Sequence, residues 1–457
     1  MSKDPGGASE STSKIPSIED RMKAGQALRE RATRSSHGEW TPTDDRPDPI
    51  ALLVAEAGPL KDLLPLRYER MLASPFAFLR GSAVVMASDL KGSPISGLTV
   101  QLSGDAHLAN FGVYETAECR LVFDLNDFDE TLAGPWEWDL KRLITSVVVA
   151  GRGNNFTPVA VTEAALAAAR SYRVRISGLA RQTAVEVFHT RIGPRDIVKP
   201  EAFGARKKVE DEFSNARELN VQALDRSITT AKGKPRFKDS PPVVEHVKDP
   251  VINEGLPDVL TGYVRSLASD RAELYSRHTL IDSVRRVVGV GSVGTRCYAL
   301  LLLATSPEDR LFLQIKEARQ SVLEPFIGGR RHRNNGRRVV DGQRLIQAAT
   351  DPFLGWTRTS LGDFYLRQLR DTKITANIAS LSPSAFASYG EVCGWALALS
   401  HARSGDPAMI SGYLGVGDQF DKAVVDFAKK YADQTDKDYA SLQKAVKQGR
   451  IKATVKS

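Results

Sequence analysis

The chain has 457 residues, of which 42% are hydrophobic and 26% charged, which is an ordinary globular balance. This length excludes a tail or a minidomain and allows two or three lobes with hydrophobic cores. The formal net charge of +8 would suit an anionic ligand, but much of the excess lies in two local runs, residues 330–338 and 444–456, which are typical of solvated segments. Binding of nucleic acid is therefore the weaker expectation.

The sequence contains no signal for a membrane or for export. No run of eighteen apolar residues occurs, and the most apolar stretch, residues 297–305, is short and predicts a buried strand. The first 25 residues lack an apolar signal core, and the three cysteines lie far apart, in no metal-ligand spacing. We expect a cytoplasmic protein with no membrane partner, while its oligomeric state stays open.

The first part of the chain changes from polar to helical and then to strand-like patterns. Residues 1–45 are rich in Ser, Gly, Pro and charged residues and predict a flexible N-terminal arm. Residues 48–90 have apolar residues at helical spacing. Two short strands are predicted at residues 98–102 and 120–124, paired antiparallel across a polar turn. The polar residues between them would lie on strand ends and loops.

Helical patterns return after the strands, at residues 139–150, 158–178 and 200–230. A segment rich in Pro, Lys and Gly, residues 232–242, predicts a boundary. The expected divisions are a helical part at 46–240, a helical connector at 241–280, a sheet-rich lobe at 281–372 and a C-terminal helical part at 373–457. The fold class predicted is α+β, mostly helical with a small antiparallel sheet lobe.

One group of polar residues follows the first predicted strand. Asp105 and Asn110 are five residues apart on a loop, and Asp124 stands at the end of the next strand. A hairpin would bring all three into one cleft. A carboxylate with a second oxygen ligand can hold Mg²⁺ against phosphate oxygens, while a separate Asp accepts the proton of a nucleophile.

This loop resembles the catalytic core of aminoglycoside phosphotransferases and related small-molecule kinases, whose loop reads His-Gly-Asp-x-His-x-x-Asn. The matching residues are Gly104, Asp105, His107, Asn110 and Asp124. The resemblance implies that Asp105 is the catalytic base, with His107 beside it, and that Asn110 and Asp124 hold Mg²⁺. It also implies that Asp139, on the following helix, braces the loop. Ser103 departs from the family's usual His.

Further carboxylates crowd next to Asp124, at Asp127, Asp129 and Glu130. Carboxylates so close along the chain would repel one another unless cations or arginines lay near them. We therefore expect a cation here, with Asp127 as the ligand of a second metal ion. A metal-dependent phosphohydrolase that uses this acidic cluster directly is an alternative interpretation.

A glycine-rich stretch, residues 287–295, lies between two predicted strands, and Lys316 stands on a third. Glycines let a backbone turn approach phosphate oxygens, and a strand lysine can pair with them. A dinucleotide-binding fold would need a helix after the glycines, whereas a strand follows. The resemblance to kinases implies nucleotide binding by Gly289, Gly291, Ser292, Gly294 and Lys316, and hydrogen bonds from adenine to the backbone of Gln368 and Leu369.

The acidic partner of the lysine stays open in the sequence. Glu324, Gln343 and Gln347 are the candidates considered. The order of the two motifs is reversed from that of ordinary kinases, which predicts a circularly permuted, protein-kinase-like fold with two lobes. In a competing assignment, His401 and Asp406 would form the catalytic loop in ordinary order, but the downstream Asn and Asp are missing, so they remain secondary candidates.

Over nearly its whole length after residue 45 the chain also resembles a bacterial family catalogued as domain of unknown function 2252. Several stretches carry this likeness, among them SPFAFLRGSA, GDAHLANFG, FDLNDFDETLAGPWEWDLKRL and GQRLIQAATDPFLGW. The kinase-like residues imply a phosphotransferase that uses ATP and Mg²⁺ on an unknown acceptor. A nucleotide-binding regulator without catalysis is a further alternative.

Overall fold

The protein is described by a computed structural model that covers residues 15–197, 226–231, 233–246, 254–287, 289, 293–306, 308–328, 332–369 and 376–453. The predicted helix at 200–230 lies almost wholly outside these residues. The fold is α+β, with long helices and small antiparallel sheets, as the sequence predicts. Within the described residues no helix combines the length and apolarity needed to cross a membrane.

The N-terminal third consists of short helices followed by four strands in two antiparallel pairs. The helices are α1 (Ile18–Ala27), α2 (Pro49–Ala55), α3 (Leu64–Met71), α4 (Pro75–Gly81) and α5 (Ala83–Leu90). The strands are β1 (Thr99–Leu102), β2 (Phe111–Glu115), β3 (Leu121–Leu125) and β4 (Leu132–Pro135).

The strand pairing differs from the prediction. Strand β3 pairs with β2, and β1 pairs with β4, so the strands at 99–102 and 121–125 are not neighbours. The residues directly before the polar turn, Phe111–Glu115, form their own strand and take the place of the predicted partner. The polar loop 103–110 and the acidic segment 126–131 consequently connect the β1–β4 pair to the β2–β3 hairpin.

The prediction of a flexible N-terminal arm is wrong from residue 15 onward, where the chain forms helix α1 and packs on the rest of the protein. Helix α1 is closed by a capping box in which Ser17 and Asp20 exchange hydrogen bonds, and it packs on a C-terminal helix, residues 407–414. Arg29 donates to the carbonyl oxygens of Gly412 and Tyr413 at 2.7 and 2.8 Å. These contacts, together with the packing of Leu28 and Trp40 on the helical core, attach a segment whose polar composition predicts flexibility.

The middle of the chain holds helices α6 (Trp136–Gly153), α7 (Pro158–Leu179), α8 (Ala184–His189) and α9 (Pro194–Ile197), and then strands β5 (Ile228–Ala231), β6 (Lys234–Phe237) and β7 (Val244–Glu245). They are followed by α10 (Leu256–Val264), α11 (Ser269–Ser276), β8 (Thr279–Arg286), β9 (Cys297–Leu303), β10 (Arg310–Glu317), α12 (Glu324–Ile327), α13 (Asn335–Ile346), β11 (Gly355–Thr359) and β12 (Gly362–Gln368). The C-terminal part consists of α14 (Pro383–Ser404), α15 (Pro407–Leu414) and α16 (Gln419–Lys447).

Six of these strands form one antiparallel sheet in the order β11-β12-β10-β9-β8-β7. Strand β9 is almost continuously apolar because its two faces are covered by separate clusters. Tyr298, Leu300 and Leu302 face a core that includes α10, and Ala299 and Leu301 face a core with Phe237.

The largest core lies among the long helices α6, α7, α14 and α16. Helices α7 and α14 pack closely because small residues line their contact. A Cβ atom at Gly394 would collide with the carbonyl oxygen of Ala168. This helical core carries the loop 103–110, in which the Leu108 N–H group donates to Ser146 of α6.

Candidate active site

The polar loop after β1 is fixed in place by a carboxylate from α6. Asp139 accepts hydrogen bonds from the backbone N–H groups of Ser103 and Gly104 at 2.7 and 3.0 Å. Gly104 has φ of +84°, and a Cβ there would collide with the carbonyl oxygen of Glu130, so only glycine fits. Asp139 therefore braces the loop and takes no part at its open side.

Asp105 lies at the tip of this loop. Arg142 Nε donates to Asp105 Oδ1 at 2.5 Å, and His107 Nε2 lies 3.5 Å from Asp105 Oδ2. Asn110 Nδ2 donates to the Asp105 carbonyl oxygen at 2.6 Å. Because Arg142 and Asp139 are one turn apart on α6, a single helix positions both the loop backbone and the Asp105 carboxylate.

His107 is 3% exposed. Burial lowers its pKa to about 4, so the imidazole is neutral at pH 7. A neutral, buried ring next to Asp105 orders the loop and cannot serve as a cation for phosphate.

The acidic segment meets Lys316 from the sheet. Lys316 Nζ forms an ion pair with Asp129 and lies 3.9 Å from Asp127 Oδ1, and Tyr365 Oη donates to Asp129 Oδ1 at 2.8 Å. Burial alone would lower the pKa of Lys316, but Asp127 and Asp129 reverse this and hold the pKa well above its usual value. The lysine is thus charged although its side chain is only 5% exposed.

The third carboxylate of the segment, Glu130, points into the protein. It accepts a hydrogen bond from Val322 N–H at 2.7 Å, and its backbone carbonyl accepts one from Ser321. Burial is the largest effect on its pKa and raises it to about 7, against the opposing influence of Arg338. Arg338 also donates to the carbonyl oxygens of Asp129 and Thr131, which ties α13 to the acidic segment.

The carboxylates among these groups line a small cleft between the helical core and the sheet, with a cavity of about 40 Å³, and Lys316 pairs with one of them, Asp129. An adjoining cavity of about 50 Å³ shares part of the same lining. The charged side chains around the first cavity are Glu56, Arg67, Arg80, Asp105, Asp127, Asp129 and Glu130. The two motifs recognised in the sequence, 187 residues apart from Asp129 to Lys316, therefore meet in one place.

Asp124 does not lie in this cleft-lining set. It is 1% exposed and accepts hydrogen bonds from the Ala348 and Leu125 N–H groups at 2.8 and 2.9 Å. Arg403 lies 3.6 Å from its second oxygen. Burial raises its pKa in spite of Arg403. With both oxygens engaged by protein donors, Asp124 joins β3 to α14 and the loop after α13, and the metal-ligand interpretation is not supported for this residue.

The secondary candidates, His401 and Asp406, make contacts that stabilise the fold. His401 is fully buried, with Nδ1 2.8 Å from Tyr172 Oη and Nε2 3.5 Å from Asp139, so it supports the brace of the loop. Asp406 caps α15 by accepting from Ala408 and Met409 N–H groups and pairs with Arg21 at 3.3 Å.

Part of the glycine-rich turn can be placed. Gly289 and Gly294 have φ of +63° and +101°, which favours glycine at both ends of the turn. Arg70 donates to the Gly289 carbonyl, and Leu60 N–H donates to the Gly294 carbonyl at 3.0 Å. Gly291 and Ser292 lie outside the described residues.

The backbone groups predicted to bind adenine already have partners in the protein. Gln368 N–H donates to Asp351, and Leu369 N–H donates to the Phe312 carbonyl at 2.8 Å. Neither N–H group is available for a base in this arrangement.

The open question of the lysine's partner is answered by Asp129 and Asp127. Glu324 instead accepts from Gln320, and Gln343 donates to Gln347. Two arginines near the cleft, Arg80 and Arg142, were missed by the sequence reasoning. The signal that could have found them was the crowding of carboxylates at Asp127, Asp129 and Glu130, which requires nearby cations.

A larger groove of about 860 Å³ is separate from these motifs. Its lining includes Trp40, Asp45, Lys91, Phe326 and Lys430. Across the described ranges, no group of three or more His, Cys, Asp and Glu side chains is arranged to hold a metal ion. A structural metal centre built from protein ligands alone is thus not seen in that part of the chain.

Comparison with known proteins gives a family and no further relative. Neither the curated proteins nor the solved structures contain a match to the chain. A family model described as "Uncharacterized protein conserved in bacteria (DUF2252)" matches residues 60–445, which include the polar loop, the acidic segment and Lys316. Because this match spans most of the 457 residues, the chain belongs to that bacterial family.

Proposed function

We propose that the protein is a phosphotransferase that moves a phosphoryl group from Mg-ATP to the hydroxyl group of an acceptor in the cleft between the helical core and the sheet. The observation that carries the proposal is the meeting of Lys316 with Asp127 and Asp129. A buried, charged lysine on a sheet strand, next to carboxylates that flank a candidate base, is the combination that phosphoryl transfer requires.

Each residue of the cleft has a role in this proposal. Asp105, held by Arg142, receives the proton of the acceptor hydroxyl. Lys316 binds phosphate oxygens of ATP. Asp127, with a side chain that is 43% exposed, and the side-chain oxygen of Asn110 are the oxygen ligands on the metal side.

These oxygen donors fit Mg²⁺. Mg²⁺ is usually bound by one or two carboxylates together with substrate phosphates and water, so a cage of three or more protein ligands is not required. When bound, Mg²⁺ neutralises charge on the phosphates. Asp124 has no part in this set because its oxygens are bound by Ala348 and Leu125 N–H groups beside Arg403.

The arrangement of the sheet supports a kinase-like interpretation in permuted order. The glycine-rich turn connects β8 to β9, Lys316 lies on β10, and α13 follows before β11. In protein kinases a glycine-rich loop covers the phosphates, and the lysine stands on the third strand. Here the loop with Asp105 precedes the sheet in the chain, whereas in kinases the glycine-rich loop and the lysine come first. The proposal therefore includes a circular permutation.

Nucleotide binding requires the cleft to open. A cavity of about 40 Å³ is far smaller than the roughly 300–1,000 Å³ of ligand pockets. The contacts that close it are the Lys316–Asp129 pair and the hydrogen bond from Tyr365 to Asp129. We expect phosphate oxygens to replace Asp129 as the partner of Lys316.

The test is calorimetric titration of the full chain with ATP, with and without Mg²⁺, for the wild type and Lys316→Ala. We expect the variant to bind Mg-ATP at least about tenfold more weakly, because it loses a charge-assisted contact with phosphate. Lys422→Ala removes a lysine whose side chain is 64% exposed and is the matched control.

Each outcome separates the competing functions. Absence of ATP binding in the wild type would contradict the phosphotransferase and favour a phosphohydrolase that acts through Asp127 and Asp129 alone. Binding without any turnover of ATP, across a panel of hydroxyl acceptors, would favour a nucleotide-binding regulator.

A further inference from the structure

Arg80, on α4, differs in its contacts from two other arginines near the cleft, Arg67 and Arg142. It lines the cavity with Asp105, Asp127 and Asp129, and its Nε is buried without a hydrogen bond. Among the described residues it forms neither a hydrogen bond nor an ion pair. By contrast, Arg67 is paired with Glu56, and Arg142 with Asp105. A cation held in this way is an unsatisfied donor that faces the candidate base.

The backbone on both sides of Arg80 is fixed by these two buried arginines. Arg142 Nη2 donates to the Leu79 carbonyl at 2.7 Å, and Arg67 Nη2 donates to the Gly81 carbonyl at 3.1 Å. Since Arg142 also binds Asp105, one side chain sets both Arg80 and the candidate base in position. Such anchoring fixes the backbone from which the Arg80 side chain reaches the cavity lining.

The guanidinium of Arg80 lies among carboxylates of the cavity lining that do not bond it. Burial is the larger effect and lowers the pKa of its guanidinium, while Asp105 and Asp127 act in the opposite direction without bonding it. Its five N–H donors lie in one plane and match the oxygens of a phosphoryl group. A role limited to offsetting the repulsion between carboxylates would need only its positive charge.

We propose that Arg80 binds the phosphoryl group during transfer and stabilises the charge that spreads over its oxygens. This inference rests on the proposed function. In the step, an acceptor hydroxyl oxygen forms a bond to the γ-phosphorus, and its proton passes to Asp105. The bond between the γ-phosphorus and the bridging oxygen breaks, and its electron pair leaves with ADP.

The test uses Mg-ADP alone and Mg-ADP with fluoroaluminate, which imitates a phosphoryl group in transfer, so no acceptor is needed. Calorimetry on the full chain compares the wild type with Arg80→Gln and with Arg277→Gln, a control whose side chain is 67% exposed. We expect fluoroaluminate to tighten ADP binding in the wild type and the control. In Arg80→Gln this gain falls about tenfold or more, while the affinity for Mg-ADP alone stays within about twofold.

Arg80→Lys guards against a folding defect and separates charge from geometry. It keeps the positive charge, so it should melt like the wild type and still lose most of the gain, because an ammonium lacks the planar donors. A gain that survives in both variants would overturn the assignment, as would a wild type that binds Mg-ADP but gains nothing from fluoroaluminate. A wild type that does not bind Mg-ADP at all contradicts the proposed function itself.

Discussion

Asp124, at the end of β3, and Asp127, in the acidic segment that follows, are three residues apart, yet they have opposite environments. Asp124 is buried, with its oxygens bound by two backbone N–H groups next to Arg403. Asp127 has a side chain that is 43% exposed, faces the cleft and lies 3.9 Å from Lys316. The difference shows that two Asp residues close together in the sequence can have separate positions, one bonded within the fold and one at the cleft.

The largest effect expected from this difference is on stability. Asp124→Ala should lower the free energy of unfolding by about 3–5 kcal/mol, because it removes one member of a buried charge pair. Asp127→Ala should change it by less than about 1 kcal/mol, since Lys316 keeps Asp129 as a partner. Urea denaturation of both variants and the wild type measures the two values. Equal stability in all three would mean that Asp124 is not the structural residue we describe.

Glu130 extends the comparison to a third carboxylate, which is half-buried and lines the cavity. Burial raises its pKa from 4.5 to about 7 in the folded protein, so the unfolded chain releases its proton first as pH rises. The folded state therefore loses stability between about pH 4.5 and 7, by up to about 3 kcal/mol from this group. Glu130→Gln, which imitates the protonated form, should remove this loss.

The measurement is the free energy of unfolding at several pH values from 5 to 8. The wild-type value should fall relative to that of Glu130→Gln as pH rises, whereas Glu273→Gln, at a side chain that is 69% exposed, should follow the wild type. Parallel curves for the wild type and Glu130→Gln would show that Glu130 is ionised throughout this range.

The sequence allowed much of the fold to be predicted where local patterns decide the structure. The apolar run of β9 and the glycines at 289 and 294 indicated the sheet, and the spacing of apolar residues indicated α7 and α14. The pairing of β3 with β2 was missed because residues 111–115 were not recognised as a strand, whereas the pairing of β1 with β4 joins segments that are far apart in the chain. The packing of α1 on α15 has the same origin.

The candidate site also contains residues that local sequence patterns predicted and residues that they did not. Asp105, Asn110 and Lys316 were predicted from residue type and spacing. Which carboxylate meets the lysine could not be read from FDLNDFDE, since every acid there has the same chemistry and only burial distinguishes them. Arg80 was missed because an arginine on an amphipathic helix has no local sign of lacking a partner.

The most direct test of the central claim is the effect of Mg²⁺ on ATP binding by Asp127→Asn beside the wild type. If Asp127 is a ligand of Mg²⁺, the variant should bind ATP about as well as the wild type when Mg²⁺ is absent. The increase in ATP affinity on adding Mg²⁺ should be at least about tenfold smaller in the variant than in the wild type. A gain from Mg²⁺ that is as large in Asp127→Asn as in the wild type would contradict the account.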